Sequence, residues 1–286
     1  MQNKLLCIFL ICVCNLFGGN DDSTHIIKAK RSRFYWDTTK YEKYDRVIIV
    51  GVFQSYRNFS NELSQLVTPD SASISSHNYQ AESNLISGLS FCFDKFSFSL
   101  STRSKPPEGA STKGNTKHWN FGFNVGNNRY IIENYYRRFV GFYDKNHPNY
   151  TDTTKKVIDN YNVQPRLLSA LFSTRFMFFN KHSRFSYKSG FGSNYRQKRS
   201  AGSWIFGGSF NVYNLKNDSS FFSPLLRPFY QDYGALKGFR SVGIGAHVGA
   251  AATIVLFKAW FVTGYFTGGP EQQWRTYTFN GFNKNQ

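Results

Sequence analysis

The feature that most constrains the fold is a strict alternation of apolar and small polar residues along two adjacent stretches. Leu85, Ser87, Leu89, Phe91 and Phe93 fall on one side of the first, and Ile86, Gly88, Ser90 and Cys92 on the other. After Asp94-Lys95, Phe96, Phe98 and Leu100 alternate with Ser97, Ser99 and Ser101. Successive side chains of an extended chain point to opposite faces, so period two marks a strand with one greasy and one wet face. The two stretches are read as a hairpin across Asp94-Lys95.

The pattern recurs. Trp119, Phe121, Phe123 and Val125 alternate with Asn120, Gly122, Asn124 and Gly126, and Gly126-Asn127-Asn128 supplies residues that tolerate positive φ in a turn. An aromatic strand follows over 129–143. Val- and Ile-rich 46–57 reads as the first strand, and 204–213 as a later one. A third hairpin is expected to join 167–179 to 184–195 across 180–183. A fourth spans 239–266, turning near 257–259, and 276–282 begins one more strand. Val242–Phe257 is apolar enough to raise a helix, but its spaced small residues and the interruption at Lys258 favour the hairpin.

Between these elements lie polar loops at 58–81, 103–117 and 144–164, and a basic one at 196–202. The segment 214–238 is long where alternation of sides calls for a short turn. It is read as an extra strand, a plug or a periplasmic insertion. Strands of roughly 9–13 residues match the tilted bilayer crossing of about 9–11 better than the common soluble length of about 5–6.

The first residues point to export. Met1–Lys4 carries one positive charge, Leu5–Phe17 has only Asn15 polar, and Gly18-Gly19 precede Asn20, Asp21 and Asp22. That is the build of a secretory signal peptide, read here as 1–18, and its apolar run is too short to span a bilayer as a helix. A buried first helix is the rival, but the polar stretch that follows gives it nothing to pack on. Residues 19–45 form a polar, basic segment outside the wall. Three of the four cysteines lie inside the signal, so Cys92 has no mate for an intramolecular disulfide once it is removed. Val13 before Cys14 is not the small residue a lipid anchor needs.

Composition narrows the class. Thirty Phe and 18 Tyr coexist with a mean hydropathy of −0.44. A soluble core with that many rings would also be rich in Leu, Ile and Val, whereas rings alternating with Ser, Gly and Asn suit a wall with lipid outside and polar filling inside. The net charge of +18 fits anionic lipid head groups or nucleic acid. The charges are scattered singly, with no basic helix, zinc spacing or aromatic nucleic-acid motif. Outer-membrane lipid and lipopolysaccharide are therefore the expected partners, and nucleic acid is not.

Catalytic and metal chemistry find little purchase. His25, His77, His118, His147, His182 and His247 lack surrounding motifs, and strand serines such as Ser169, Ser173, Ser186 and Ser189 are ordinary wet-face filling. No His-x-x-x-His or Cys-x-x-Cys occurs beyond the signal. Gly243–Gly249 lacks the strand-to-helix setting of a nucleotide loop. No catalytic, cofactor or metal residue is assigned, and no cofactor is expected. One constellation stands out: Glu133, Tyr135 and Arg137 share one face of the long strand, opposite Ile132, Asn134, Tyr136 and Arg138. A lipid-facing Arg at the midplane costs about 2–4 kcal/mol, so Glu133, Tyr135 and Arg137 are placed inward, filling a narrow lumen or lining a pore. Arg138 is placed near an interface, where it reaches head groups. The turns at Asp94, Asn127 and Lys181 are expected on one, periplasmic side.

Several stretches also carry a family likeness. Asp37-Thr38-Thr39 and Tyr41-Glu42-Lys43-Tyr44 precede the first strand. Gly88-Leu89-Ser90-Phe91 enters the first hairpin, and Phe96-Ser97-Phe98-Ser99-Leu100 leaves it. Tyr135-Tyr136-Arg137-Arg138-Phe139-Val140-Gly141-Phe142-Tyr143 forms the long strand. In this order they resemble an uncharacterised outer-membrane β-barrel family of Bacteroidota (domain of unknown function 4421), over roughly Asp37 to Trp274. The resemblance implies an outer-membrane β-barrel and assigns no chemistry, so no functional residue carries over.

The reading is thus an all-β, antiparallel up-and-down transmembrane β-barrel of about 10–12 strands over 46–286, with its last strand or strands missing or unusually placed. Short turns lie on one side and long loops on the other. The expected role is structural or that of a small-solute pore in the outer membrane. The competing classes are an outer-membrane hydrolase and a surface-binding module acting through the loops.

Overall fold

The computed structural model describes residues 36–285 apart from 45–46, 57–58, 64–75, 83–84, 105–112, 151–156, 193, 223–226, 257–259 and 280–282. The expected signal at 1–18 and the polar stretch up to residue 35 lie outside the described residues. Among the described residues, no helix is long and apolar enough to cross a membrane.

The chain is all-β. A short strand β1 (Tyr41–Lys43) comes first, then β2 (Ile48–Tyr56), β3 (Ser60–Leu63) and β4 (His77–Gln80). The predicted hairpins follow as β5 (Leu85–Phe93) with β6 (Phe96–Arg103), and β7 (Lys117–Gly126) with β8 (Tyr130–Tyr150). Next come β9 (Val157–Phe179), helix α1 (Tyr187–Phe191), β10 (Tyr195–Gln197) and β11 (Ala201–Lys216). A 3-10 helix (Arg227–Ala235) leads into β12 (Leu236–Leu256), β13 (Trp260–Gly268), β14 (Glu271–Phe279) and β15 (Asn283–Asn285).

The main sheet runs β2-β5-β6-β7-β8-β9-β11-β12-β14-β15, ten strands in one path with every pair antiparallel. Strand β12 pairs with β13 along its C-terminal part and with β14 along its N-terminal part, so β13 and β14 lie end to end against one neighbour. The break between them is Gly269-Pro270. A Cβ on Gly269 would stand 1.9 Å from the Ala246 carbonyl oxygen, which only glycine permits. The β5–β6 turn needs Asp94 at φ 45, a conformation that Asp tolerates better than bulkier residues.

The strands of three predicted hairpins pair as read, the turn of the fourth at 257–259 lying outside the described residues; the third hairpin does not form. Residues 184–195 hold no wall strand. They carry α1, with Ser186 as its N-cap, and β10 follows, pairing with β1 in a separate two-stranded sheet. The period-two look of that stretch came from an inserted segment whose rings are buried from several sides at once. Strand β9 pairs instead with β8 and β11. This correction removes the anomaly at 214–238: with one strand fewer before it, that segment falls on the side of the long loops. Two loops are also more ordered than expected. Strands β8 and β9 extend into 144–164, and 58–81 contains β3 and β4, with β4 pairing to Tyr143 and Asp144 of β8. The turns at Asp94, Asn127 and Lys181 lie together at one end of the sheet.

The two faces of the wall are opposite in character. On one face, Val52, Leu89, Leu100, Phe121, Tyr136, Phe172, Val212, Val242 and Trp274 are successive cross-strand partners. On the other, Ser97, Asn124, Glu133, Arg175, Ser209, Gly245 and Glu271 are successive partners. The apolar face is the exposed one: Val52 is 78% exposed and Leu100 56%, while Ser101 and Ser169 on the polar face are buried.

The polar face is concave and wraps the inserted segment. The Cys92 thiol in β5 donates to the Gly192 carbonyl at 3.4 Å, while Gly190 of α1 lies against Thr263 of β13. Strands β5 and β13 stand near opposite ends of the strand order, so the sheet is curled around 181–199. No pairing of β2 with β13, β14 or β15 occurs among the described residues. Two aromatic clusters occupy the interior. At the turn end, Met177, Phe179, Phe185, Tyr187 and Ile205 pack together. At the loop end, Tyr79, Phe139, Phe142, Leu167, Phe221, Phe222, Tyr230 and Phe279 do so.

Candidate functional site: the interior polar network

Between the two aromatic clusters lies an ionic network. Glu133 of β8 stands directly opposite Arg175 of β9. The Arg175 Nε donates to Glu133 Oε2 at 3.1 Å, and its Nη2 donates to the same oxygen. Nη2 also reaches the Tyr265 hydroxyl of β13 at 3.0 Å, and the guanidinium lies 5.4 Å from that ring's centre. The other carboxylate oxygen accepts from the Tyr187 hydroxyl of α1 at 2.9 Å. One carboxylate thus ties two adjacent wall strands to the inserted helix and, through Arg175, to a strand from the far side of the sheet. A charge taken out of water needs this density of partners; unpaired, it would cost several kcal/mol.

A second group continues the polar interior. The Ser173 hydroxyl donates to Asn211 Oδ1 at 2.5 Å, and Asn211 Nδ2 donates to Glu271 at 3.2 Å. Tyr135 and Arg137, grouped in sequence with Glu133, share its inward face. They contact one another, with the Arg137 guanidinium 4.6 Å from the centre of the Tyr135 ring. The structure therefore places all three residues on one face and brings Glu133 into the ion pair, with Tyr135 and Arg137 forming a stacked neighbour pair.

Sequence reasoning missed Arg175, Tyr187 and Tyr265. Arg175 had a usable signal, because it sits in the middle of an apolar strand where a charge must find an opposite one. Tyr187 had none once its segment was read as wall. On the apolar face, Asn134 has its own satisfaction: its Nδ2 donates to the Phe123 carbonyl at 3.0 Å, and its Oδ1 accepts from Thr174 at 2.9 Å.

The inserted segment is anchored to the turns. Lys188 Nζ and Asn194 Nδ2 both donate to the Asp94 carbonyl, at 3.0 and 2.6 Å, and the Ser186 hydroxyl donates to Asn128 Oδ1 at 2.9 Å. Burial pulls the Lys188 ammonium down to about 8, against a partial pull upward from nearby Cys92 and Asp94.

At the loop end, His77 and Asp144 form a fully buried pair, with Nδ1 2.5 Å from Oδ2. Asp144 Oδ1 accepts from the Asn78 and Asn146 backbone N–H groups at 3.0 and 3.1 Å. The imidazole is walled by the rings of Tyr79, Phe222 and Tyr230. A His–Asp pair is the base half of a hydrolytic triad, but a reacting substrate must reach the imidazole. Here both side chains are sealed from solvent, and the pair acts as a clamp between β4 and β8. Among the described residues, no group of His, Cys, Asp and Glu could hold a metal ion.

A family model described as a domain of unknown function (DUF4421) matches residues 36–286. No curated protein and no solved structure matches the chain.

Proposed function

We propose that the chain, which belongs to the DUF4421 family, is an exported outer-membrane protein of a Gram-negative bacterium of the Bacteroidota. In this reading its sheet closes into a transmembrane β-barrel with a structural rather than an enzymatic role. The observation that carries the proposal is the inverted patterning of the sheet. An unbroken apolar row covers the convex face, and a row bearing Glu133 and Arg175 covers the concave one. In water, each large ring or branched chain left on the outside forfeits roughly 1.5–3 kcal/mol of burial, and soluble proteins rarely expose contiguous apolar patches beyond a few hundred Å². In lipid the same face is favourable, and closure satisfies every backbone group of the wall.

The interior supports a filled wall over an open pore. Aromatic clusters lie at both ends, and side chains from the wall meet the inserted segment between them. The test is membrane fractionation of the expressed chain together with gel migration with and without boiling. Recovery in the membrane with a compact, heat-modifiable band is expected. A soluble, β-rich monomer after signal removal would overturn the proposal.

A further inference from the structure

At the loop end of the apolar band the outward face changes character within one row. The all-apolar partners Leu100, Phe121 and Tyr136 are followed, two residues along each strand, by Thr102, Trp119 and Arg138, again direct cross-strand partners. Lys117 lies two residues beyond Trp119 and is exposed on the same face. Around these residues the surface forms an open notch of about 460 Å³, lined by Thr102, Arg103, Ser104, Lys117, Trp119 and Arg138 among others.

Three of these residues are cationic, and among the described residues no Asp or Glu lines the notch. Arg103 braces its far wall, donating to Asn115 Oδ1 at 2.6 Å and to the Thr116 carbonyl. Glu82 lies close enough to Arg103 to influence its charge, but it is buried behind the notch, with its own N–H bonded to the Thr116 hydroxyl at 2.8 Å. Among the described residues no carboxylate pairs with Arg138 or Lys117, and both cations face outward on the rim. Trp119 forms the floor, its ring 5.0 Å from that of Tyr136, and joins the notch to the apolar band below.

We propose that this notch seats the phosphate of an anionic lipid from the surrounding leaflet. The inference rests on the membrane reading above and names one lipid contact within it. The guanidinium of Arg138 offers a planar fork suited to two phosphate oxygens, and the Lys117 ammonium adds a point charge. The Thr102 hydroxyl, which donates to the His118 carbonyl at 3.0 Å, and the Ser104 hydroxyl, bonded to that of Ser87 at 2.5 Å, line the rim as neutral polar groups. Trp119 lies at the level where an amphipathic ring meets both head group and chain. The notch lies at the end where Trp119 and Tyr136 close the apolar band, which is where lipid phosphates sit relative to their chains.

The full chain, folded into phosphatidylcholine vesicles, tests this when the vesicles are doped with a phosphate-monoester lipid, phosphatidic acid. After transfer to detergent, retained lipid is counted by mass spectrometry. One retained phosphatidic acid per chain is expected, with at least a tenfold loss of retention in the Lys117→Gln, Arg138→Gln double variant. Arg240→Gln, an outward cation in the same row on another strand, is expected to retain it as the parent does. Equal retention by parent and double variant overturns the proposal. So does displacement by millimolar inorganic phosphate as readily as by the lipid, which would make this a site for the free ion. Failure of the membrane reading looks different: the chain then does not enter vesicles or show a heat-modifiable band, and retention is not reached. A chain that inserts and runs heat-modifiably but retains no phosphatidic acid refutes the seat alone.

Discussion

His77 Nδ1 lies 2.5 Å from Asp144 Oδ2, and neither side chain reaches solvent. The bond joins the short strand β4 to β8 at the loop end of the long β8–β9 pair. Because Asp144 also accepts two backbone N–H groups, its carboxylate is the single acceptor on which three donors depend. Asp144→Ala is expected to destabilise the fold by about 3 kcal/mol, because three buried donors then lose their acceptor. His77→Phe, which keeps the aromatic stack, is expected to cost less. Urea midpoints of the compact gel band read both. Equal, negligible effects would mean that the ring packing alone holds this hairpin.

The facing of β8 is open to a paired substitution. Ile132 stands in an outward row between Val125 and Phe176, while Glu133 points inward to Arg175. Ile132→Arg is expected to impair insertion into vesicles by about 2–4 kcal/mol. Glu133→Leu is expected to insert but unfold at lower urea, since Arg175 and Tyr187 both lose their acceptor. Normal insertion of Ile132→Arg together with a Glu133→Leu chain that never reaches the membrane would reverse the facing.

Conductance distinguishes a filled interior from a pore. In planar bilayers the parent is expected to be silent. A Cβ on Gly190 would lie 2.5–2.7 Å from three Thr263 side-chain atoms, so a larger residue cannot occupy that contact without moving α1. Gly190→Leu is therefore expected to give intermittent conductance with the wall still heat-modifiable. Steady conductance by the parent would refute the filled interior.

Lys188 makes a pH prediction. Its pKa falls from 10.5 to about 8 on folding, chiefly by burial. The folded state therefore prefers the neutral amine, and the benefit of neutrality is complete above pH 10.5 and lost as pH falls through 8. At pH 7 the protein carries a buried, disfavoured cation. Lys188→Met is expected to raise the urea midpoint at pH 7 by an amount worth about 1–2 kcal/mol after the lost bond to Asp94 is set against it. Its advantage is expected to shrink toward pH 10. A constant difference across that range would show that charge burial is not the cause.

Much of the wall was legible because period two is a local signal. Leu85–Ser101 and Trp119–Gly126 declare both their strand nature and their facing without reference to the rest of the chain, and the register bears out both hairpins. The facing of Glu133, Tyr135 and Arg137 followed from the same rule. What escaped was whatever depends on distant partners. Tyr187 and Phe191 alternate with Lys188 and Gly190 like strand residues, but the Tyr187 hydroxyl is consumed by Glu133 and both rings by Tyr265, from two distant parts of the chain. Asp144 and Asn146 read as loop because their polar groups looked solvated, whereas His77, Asn78 and Ser76 engage them. Nothing in a window of twenty residues contains those pairings.

The inserted 181–199 segment has a consequence for the order of assembly. Its bonds to the Asp94 carbonyl bridge sequence separations of 94 and 100 residues, and its contact with Thr263 looks forward to a strand synthesised after it. Such long closures are slow, because chain entropy is spent before any contact returns it. The segment cannot be threaded into a sheet that has already curled, nor can it find Thr263 and Tyr265 until the late strands arrive. It must already lie against the early strands while the sheet curls over it, as a mandrel lies inside a tube being rolled. The girth of the wall is then set from within: the inserted segment touches β5 through Gly192 and β13 through Gly190, so adding or deleting a hairpin between them would leave the mandrel the wrong width.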